Sequence, residues 1–278
     1  MFRMETAGLT DVGRLRKNNE DSFSIADPLL IVADGMGGAA AGEIASSLAV
    51  ETVSRMLKNL TFSRDADVSK KILNAICEAD KQIKQKSRSQ SNLSGMGTTM
   101  VMAVHFDSRI VIGNVGDSRA YIISQSLAGA TSQTPTPDID TNALTAILQP
   151  VSLESPDNPQ GSIRRISEDH SVVMDLVRSG VIEEKEIRSH PLRNRITKCI
   201  GSLGNRESGD TVWYDLKDGD VLILCTDGLW EMMHEDVMYA IVNTSSSMED
   251  ACKRLVDTAN NAGGSDNITV ITAQFTKT

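Results

Sequence analysis

Four apolar runs in this chain each lie beside an aspartate, and this pattern constrains the fold more than any other feature. The runs at 29–33 (LLIVA), 110–115 (IVIGNV) and 221–226 (VLILCT) precede Asp34, Gly116-Asp117 and Asp227, and Asp266 comes just before the run at 268–272 (ITVIT). Short runs rich in β-branched residues and bounded by Gly and Asp are typical of buried strands. The sequence therefore predicts a sheet protein with carboxylates gathered at strand ends.

Such a gathering of carboxylates indicates a bound cation. Carboxylates are costly to bury and repel one another at short range. Bringing Asp34, Asp117, Asp227 and Asp266 together makes physical sense if a cation lies among them. Because these ligands are hard oxygen donors, we expect Mg²⁺ or Mn²⁺.

The composition excludes several classes of protein. The net charge of -9 argues against a nucleic-acid binder, because no basic stripe is present. No apolar run approaches the roughly 18 residues of a membrane span, and residues 1–5 lack the apolar region of a signal peptide. The four cysteines are widely spaced and form no CxxC pair, so we expect reduced, packed thiols. These features predict a monomeric cytoplasmic protein with no membrane or nucleic-acid partner.

The order of the patterns predicts an α+β architecture. Helical spacing of apolar residues covers 43–60 and 68–86, and strand-like runs follow at 98–106, 109–115 and 119–124. A strand-and-helix pattern then closes the chain at 221–226, 237–242, 248–261 and 268–275. Two helices followed by runs of strands favour α+β layers over alternating βαβ units, so we predict one domain over 1–278.

Residues 124–162 differ in kind from the rest of the chain. They contain no Lys, Arg or aromatic residue but five of the seven prolines. Such a composition cannot bury enough apolar surface to offset the entropy of ordering. We therefore predict a mobile surface insertion, which is either a passive loop or a substrate-recognition element.

Eight motifs, in order along nearly the whole chain, resemble those of the metal-dependent serine/threonine protein phosphatases of the PPM family (type 2C), in their bacterial form. The motifs are 8–13 (GLTDVG) with 16–21 (RKNNED), 32–38 (VADGMGG), 95–99 (GMGTT), 115–119 (VGDSR), 168–171 (EDHS), 190–194 (HPLRN), 225–231 (CTDGLWE) and 264–270 (GSDNITV).

The resemblance implies a sandwich of two antiparallel β-sheets flanked by helix pairs, with the metal site at one end and a flap-like segment at about 168–200. It also implies two core Mn²⁺ or Mg²⁺ ions and a weaker third site. The implied roles are Asp34 as the bridging ligand, Asp227 and Asp266 at the first site, the Gly35 carbonyl with Glu20 and Asp21 through water at the second, Asp117, Asp227 and Glu231 at the third, and Arg16 on the substrate phosphate. Asp34, Asp227 and Arg16 would then be the catalytic residues.

Hydrolysis of a phosphate ester by metal-activated water suits these residues, because it needs no side-chain nucleophile. Two ions can lower the pKa of a shared water and hold it in line with phosphorus, and a guanidinium can fork onto phosphate oxygens. Plainer interpretations stay open for some residues. Arg16, Glu20 and Asp21 could form a solvated turn, Asp117 could belong to a hairpin turn, and Asp266 could cap one.

One departure from the family pattern concerns the proton donor. Relatives often carry histidine after Met-Gly-Gly or after Asp-Gly, where this chain has Ala39 and Met36. Loss of a general acid costs about 10²–10⁴-fold when protonation is needed.

The leading hypothesis is hydrolysis of phosphoserine and phosphothreonine on proteins, opposing a bacterial Ser/Thr kinase. The alternatives are a phosphatase for small phosphate esters and a pseudophosphatase that binds a phosphoprotein or kinase.

Overall fold

The computed structural model describes residues 1–37, 41–58, 65–124, 162–202 and 209–278. The strands are β1 Phe2–Asp11, β2 Asp21–Ala26, β3 Leu29–Met36, β4 Gly97–Thr98, β5 Met100–Phe106, β6 Arg109–Val115, β7 Arg119–Ser124, β8 Ser162–Arg165, β9 Asp210–Asp215, β10 Val221–Cys225 and β11 Ile268–Lys277. The helices are α1 Ala41–Leu57, α2 Asp65–Ser89, α3 Val172–Arg178, α4 Asp227–Trp230, α5 Glu235–Asn243 and α6 Met248–Asn261. Two 3-10 turns cover Ser91–Leu93 and Glu184–Ser189.

The strands form two antiparallel sheets, which confirms the predicted α+β sandwich. One sheet has the order β1-β11-β10-β7-β8, and the other has the order β2-β3-β5-β6-β9 with β4 paired to β3. The central strands are apolar on both faces, as expected for strands covered on both sides.

Alternation along β3 shows how the layers are built. Leu29 and Ile31 belong to a core between the second sheet and helices α1 and α2, whereas Leu30 and Val32 face the first sheet. Helices α5 and α6 pack on the outer face of the first sheet in a third core, which includes Leu255. The two sheets therefore lie between two helical layers. A functional site can form at the ends of the strands.

Several elements were absent from the sequence-based prediction. They include β1, β2, β9 and α3, which are partly exposed and so have weaker apolar patterns than the central strands. The period-two alternation of β1 and β9 is visible in their burial and could have revealed them.

The predicted insertion joins two paired strands of one sheet. Ser124 at the end of β7 pairs with Ser162 at the start of β8. Residues 125–161, between them, lie outside the described residues, as does Ala39. No described helix is both long and apolar enough to cross a membrane. All four cysteines are free, as predicted.

Candidate metal centre

The site begins at Asp34, whose position differs from the prediction. Asp34 was expected where its strand runs out, but β3 continues to Met36 and Asp34 pairs directly with Asp21 on β2. The Thr99 hydroxyl accepts a hydrogen bond from the Asp34 N–H (3.1 Å), and the Thr98 hydroxyl donates to the Asp34 carbonyl (2.8 Å). The Asp34 and Asp21 carboxylates face each other because β2 pairs with β3, and β4 extends the pairing of β3 past Asp34 to Met36.

Gly35 allows the backbone after Asp34 to lie against the first turn of α1. A Cβ atom at Gly35 would collide with the carbonyl oxygen of Gly42, and one at Gly42 would lie 2.7 Å from the Gly35 carbonyl. The Gly35 N–H donates to the Glu20 carbonyl (3.1 Å). Both positions therefore require glycine, because any larger residue would push the strand and the helix apart.

Asp117 lies in the turn between β6 and β7, and Asp227 is the first residue of α4. The turn uses Gly116 at φ +100°, a conformation that favours glycine. The Trp230 indole N–H donates to the Asp117 carbonyl (3.0 Å). Since Trp230 ends the helix that Asp227 begins, this bond connects two of the predicted ligands.

Asn267 was not predicted as a site residue, yet its side chain holds the segment that carries Arg16 and Glu20. Its Oδ1 accepts from the Glu20 N–H (2.8 Å), and its Nδ2 donates to the carbonyls of Val12 and Asn18 (2.9 Å each). The sequence offered two signals for Asn267: it lies within the motif at 264–270, and it is a polar residue directly before a buried strand.

Arg16 lies at the site as the counter-ion of Asp266. Its Nη2 donates to Asp266 Oδ2 at 2.6 Å, and its side chain is half exposed. Asp266 Oδ1 accepts from the Asn267 N–H at 2.8 Å. The predicted phosphate clamp is thus engaged with a predicted metal ligand, and a phosphate would compete with Asp266 for the guanidinium.

The surroundings of the buried aspartates disfavour their ionised forms. Burial raises the pKa of Asp34 well above its usual range, and the neighbouring Asp21 and Asp227 raise it further. The pKa of Asp117 is raised in the same way, by burial and then by Asp227. Burial raises the pKa of Asp21 and of Asp227 to about 7, with Asp266 contributing to both. A divalent cation would reverse these shifts, since it favours the ionised form of each ligand.

Two buried oxygen atoms in the cluster have no hydrogen-bond partner among the described residues, Asp21 Oδ1 and Asp227 Oδ1. The other oxygen of Asp21 accepts from the hydroxyls of Thr226 (3.0 Å) and Thr269 (2.6 Å). Buried polar atoms are almost always satisfied, so orphaned carboxylate oxygens inside an acidic cluster fit the donor set of a hard cation.

The carboxylates are near enough to shift one another's pKa, yet they do not form a ready-made cage. Among the described residues, no three Asp, Glu, His or Cys side chains are already arranged to hold one ion. The Asp227 carboxyl nevertheless lies within hydrogen-bond reach of Asp34, and the orphaned oxygens belong to the same cluster.

The two glutamates lie at the edge of the site. Burial raises the pKa of Glu20 and of Glu231. The Glu231 carboxylate lies 3.7 Å from Arg193 Nε, so it too has a cationic neighbour.

A buried ion pair supports the site from behind. Arg119 donates through Nε and Nη2 to the carboxylate of Asp169, with a shortest distance of 2.6 Å, and the two side chains are 4% and 1% exposed. The Arg119 guanidinium lies 3.5 Å from the centroid of the Trp230 ring. Arg119 and Asp169 both lie within the motifs described above, but no sequence pattern indicated that these two side chains contact each other.

The raised pKa values predict an unusual dependence of stability on pH. A folded-state pKa of about 7 for Asp21 and Asp227, against about 3.9 in the unfolded chain, means that their stabilising contribution is complete below about pH 4 and lost as the pH rises through 7. We expect the melting temperature in EDTA to fall between about pH 5.5 and pH 8. With saturating Mn²⁺ this fall should disappear or reverse, and thermal scans across the pH range test both curves. A melting temperature in EDTA that rises across this window would contradict the electrostatics described above.

Comparison with known proteins finds similarity to one family over nearly the whole chain. The family model described as protein phosphatase 2C matches residues 16–267. The serine/threonine phosphatase stp of Listeria welshimeri is 34% identical over 268 residues, which cover 94% of this chain and 92% of that protein. The crystal structure of the Mycobacterium tuberculosis serine/threonine phosphatase PstP/Ppp has a TM-score of 0.80 at 26% identity over 99% of both chains. The catalytic domain of PstP in complex with two manganese ions has a TM-score of 0.77 over 100% of both chains, and at 24% identity this likeness shows the fold.

Proposed function

Because this chain belongs to the protein phosphatase 2C (PPM) family and is a protein serine/threonine phosphatase, we propose how its acidic cluster carries out that hydrolysis. The residues would hold two core ions, Mn²⁺ or Mg²⁺, with Asp34 shared between them. Asp227 and Asp266 would complete the first site, and the Gly35 carbonyl with Glu20 and Asp21 the second. Asp117, Asp227 and Glu231 would hold a weaker third ion.

One observation carries this proposal: two buried carboxylate oxygens have no hydrogen-bond partner among the described residues, inside a cluster of acids that raise one another's pKa. When bound, two such ions lower the pKa of a water and offset the negative charge that develops during phosphoryl transfer. The protein's part is to fix the ligands. Asp34 is held by Thr98 and Thr99, and the segment bearing Glu20 is held by Asn267.

Arg16 is the residue that we propose for binding the substrate phosphate. It is half exposed and lies beside Asp266, so its guanidinium can leave that carboxylate for a phosphate that arrives at the same place. A forked, charge-assisted bond would orient the ester while the ligand carboxylates remain with the cations.

The substrates we propose are phosphoserine and phosphothreonine on cytoplasmic proteins, including a bacterial Ser/Thr kinase or its targets. The Listeria and Mycobacterium relatives are named serine/threonine phosphatases, which supports phosphoserine and phosphothreonine as the substrate residues. The four free cysteines suit a reducing compartment. We also propose that the chain acts as a monomer, because its large exposed apolar side chains in the described ranges are few and far apart in sequence, as at Leu15, Val181 and Val212.

The proposal is tested by phosphate release from a phosphothreonine peptide, with Mn²⁺ and with EDTA. We expect release only with the cation. A pseudophosphatase would bind the peptide and release no phosphate, and an enzyme for small esters would hydrolyse nitrophenyl phosphate but not the peptide. Release that persists in excess EDTA would contradict the metal mechanism.

A second arm of the same experiment uses Arg16→Ala with Lys17→Ala as the matched control, because Lys17 is an exposed cation of the same segment. Loss of a charge-assisted bond worth about 1.5–3 kcal/mol should lower kcat/KM roughly 10- to 150-fold. Mn²⁺ affinity should be unchanged or tighter, because Asp266 loses its competing partner. An unchanged kcat/KM in Arg16→Ala would remove Arg16 from the phosphate site.

A further inference from the structure

The turn that carries Asp117 is held from one side by a buried histidine. The Gly116 N–H donates to His170 Nδ1 at 3.1 Å, and the backbone N–H of His170 donates back to the Gly116 carbonyl at 2.8 Å. His170 is 3% exposed. A backbone N–H can only donate, so Nδ1 carries no proton in this arrangement, and the ring is neutral with its proton on Nε2.

The protonated nitrogen is also held in place. His170 Nε2 lies 2.9 Å from Asp210 Oδ2, at the first residue of β9. The His170 carbonyl accepts from the Thr197 N–H at 2.8 Å. The His170 imidazole therefore connects the Gly116 turn to the edge strand β9, and the His170 backbone connects the same turn to Thr197 in the segment at about 168–200.

We propose that His170 is a positioning residue for Asp117: its ring sets the direction of that carboxylate by holding the N–H of Gly116, the residue before it. Gly116 adopts φ +100°; its N–H is held by the His170 ring and its carbonyl by the His170 backbone N–H, so the peptides on both sides of Gly116 have little freedom. The Trp230 indole holds the peptide after Asp117 from the opposite side. The inference rests on the proposed role of Asp117 as a ligand of the third ion.

His170 thereby makes the third site depend on the segment at about 168–200. Outer-shell partners of metal ligands orient them, and their loss typically costs about 10–100-fold in metal affinity or activity. Because Thr197 bonds to the same residue, the segment is attached close to the proposed ligand, and its position and that of Asp117 should vary together.

Two substitutions at this position separate positioning from general stability. His170→Asn retains an acceptor near Nδ1 and loses the bond to Asp210, whereas His170→Gln retains a donor near Nε2 and loses the bond to Gly116. Each removes one side-chain hydrogen bond, so similar losses in melting temperature are expected. His105→Gln is the control, because His105 bonds the Asp107 carbonyl at the far end of β5.

The first readout needs no metal. By NMR hydrogen exchange in EDTA, the Gly116 amide should be protected in the wild type and in His170→Asn, and should exchange at least about tenfold faster in His170→Gln. The second readout is Mn²⁺ titration by calorimetry and activity. His170→Gln should need roughly 10–100-fold more Mn²⁺ for half-maximal kcat, with an unchanged KM for the phosphopeptide.

The outcomes distinguish this inference from the proposed function. Equal behaviour of His170→Asn and His170→Gln in exchange and in Mn²⁺ dependence would overturn the positioning role, as would an unprotected Gly116 amide in the wild type. A wild type that binds no Mn²⁺ would overturn the metal mechanism instead, while the exchange data would still show whether His170 holds the turn.

Discussion

Asp34→Asn is expected to remove phosphatase activity and, at the same time, to make the metal-free protein more stable. Asparagine retains the shape and the backbone bonds of Asp34 to Thr98 and Thr99 but cannot supply a bridging carboxylate. Two-metal stabilisation is worth several kcal/mol, so kcat/KM should fall by at least about 10²-fold. Without metal, burial and the neighbouring Asp21 and Asp227 raise the pKa of Asp34, so the folded state favours its protonated form whereas the unfolded chain ionises it. Asparagine removes this cost of folding near pH 8.

The measurement is thermal unfolding near pH 8 in EDTA and in Mn²⁺, beside activity assays. A gain of about 1 kcal/mol would raise the melting temperature of the metal-free variant by roughly 2–4 °C. Mn²⁺ should stabilise the wild type and have a much smaller effect on Asp34→Asn. Asp236→Asn, at an exposed position in the first turn of α5, is the matched control; it should leave activity and the response to Mn²⁺ unchanged and, because it removes a carboxylate from a helix N-terminus, should not raise the melting temperature. Full activity in Asp34→Asn, or an equal response to Mn²⁺, would show that Asp34 is not the shared ligand.

Asp169→Asn is expected to give a large loss of stability, because it leaves the Arg119 guanidinium buried without its counter-ion. Arg119 is 4% exposed, and Arg165 Nη1 also lies 3.6 Å from the same carboxylate. Removing one partner of a buried ion pair typically costs about 3–5 kcal/mol, since the remaining charge has been taken out of water. The midpoint of urea unfolding should fall accordingly, with little change in the dependence on denaturant.

The matched control is Asp175→Asn, which breaks the exposed pair between Asp175 and Arg178 at 3.0 Å. Exposed pairs contribute about 0–1 kcal/mol, so this variant should unfold close to the wild type. Replacing Arg119 and Asp169 together by apolar residues of similar size should recover much of the loss, because no unpaired charge remains. Equal effects of Asp169→Asn and Asp175→Asn would show that the buried pair has no special role in the fold.

Local patterns of apolar residues predicted many of the strands and helices. The runs that became β3, β6, β10 and β11 were evident because a strand covered on both faces must be apolar along its length, and helices α1, α2 and α6 were evident from their 3.6-residue period. The edge strand β9 was not found, because a half-exposed strand has a weaker pattern and depends on its neighbour for pairing.

The sequence by itself determined which residue types stand beside which strands, and hence that a hard-cation site was to be expected. It also placed the glycines that close packing needs, at Gly35 and Gly116. These features depend on local chemistry, namely the cost of burying carboxylates and the conformational range of glycine. They can be read from short windows of the chain, without knowing what each window contacts.

Only the tertiary structure determined which side chains contact each other at the site. Asp21 faces Asp34 because β2 and β3 pair, Arg16 meets Asp266 across 250 positions, and Arg119 meets Asp169 across 50. The same holds for His170 beneath the Gly116 turn. These contacts depend on strand register and on the packing of distant segments, which are set by the burial of the whole core rather than by any local run of residues.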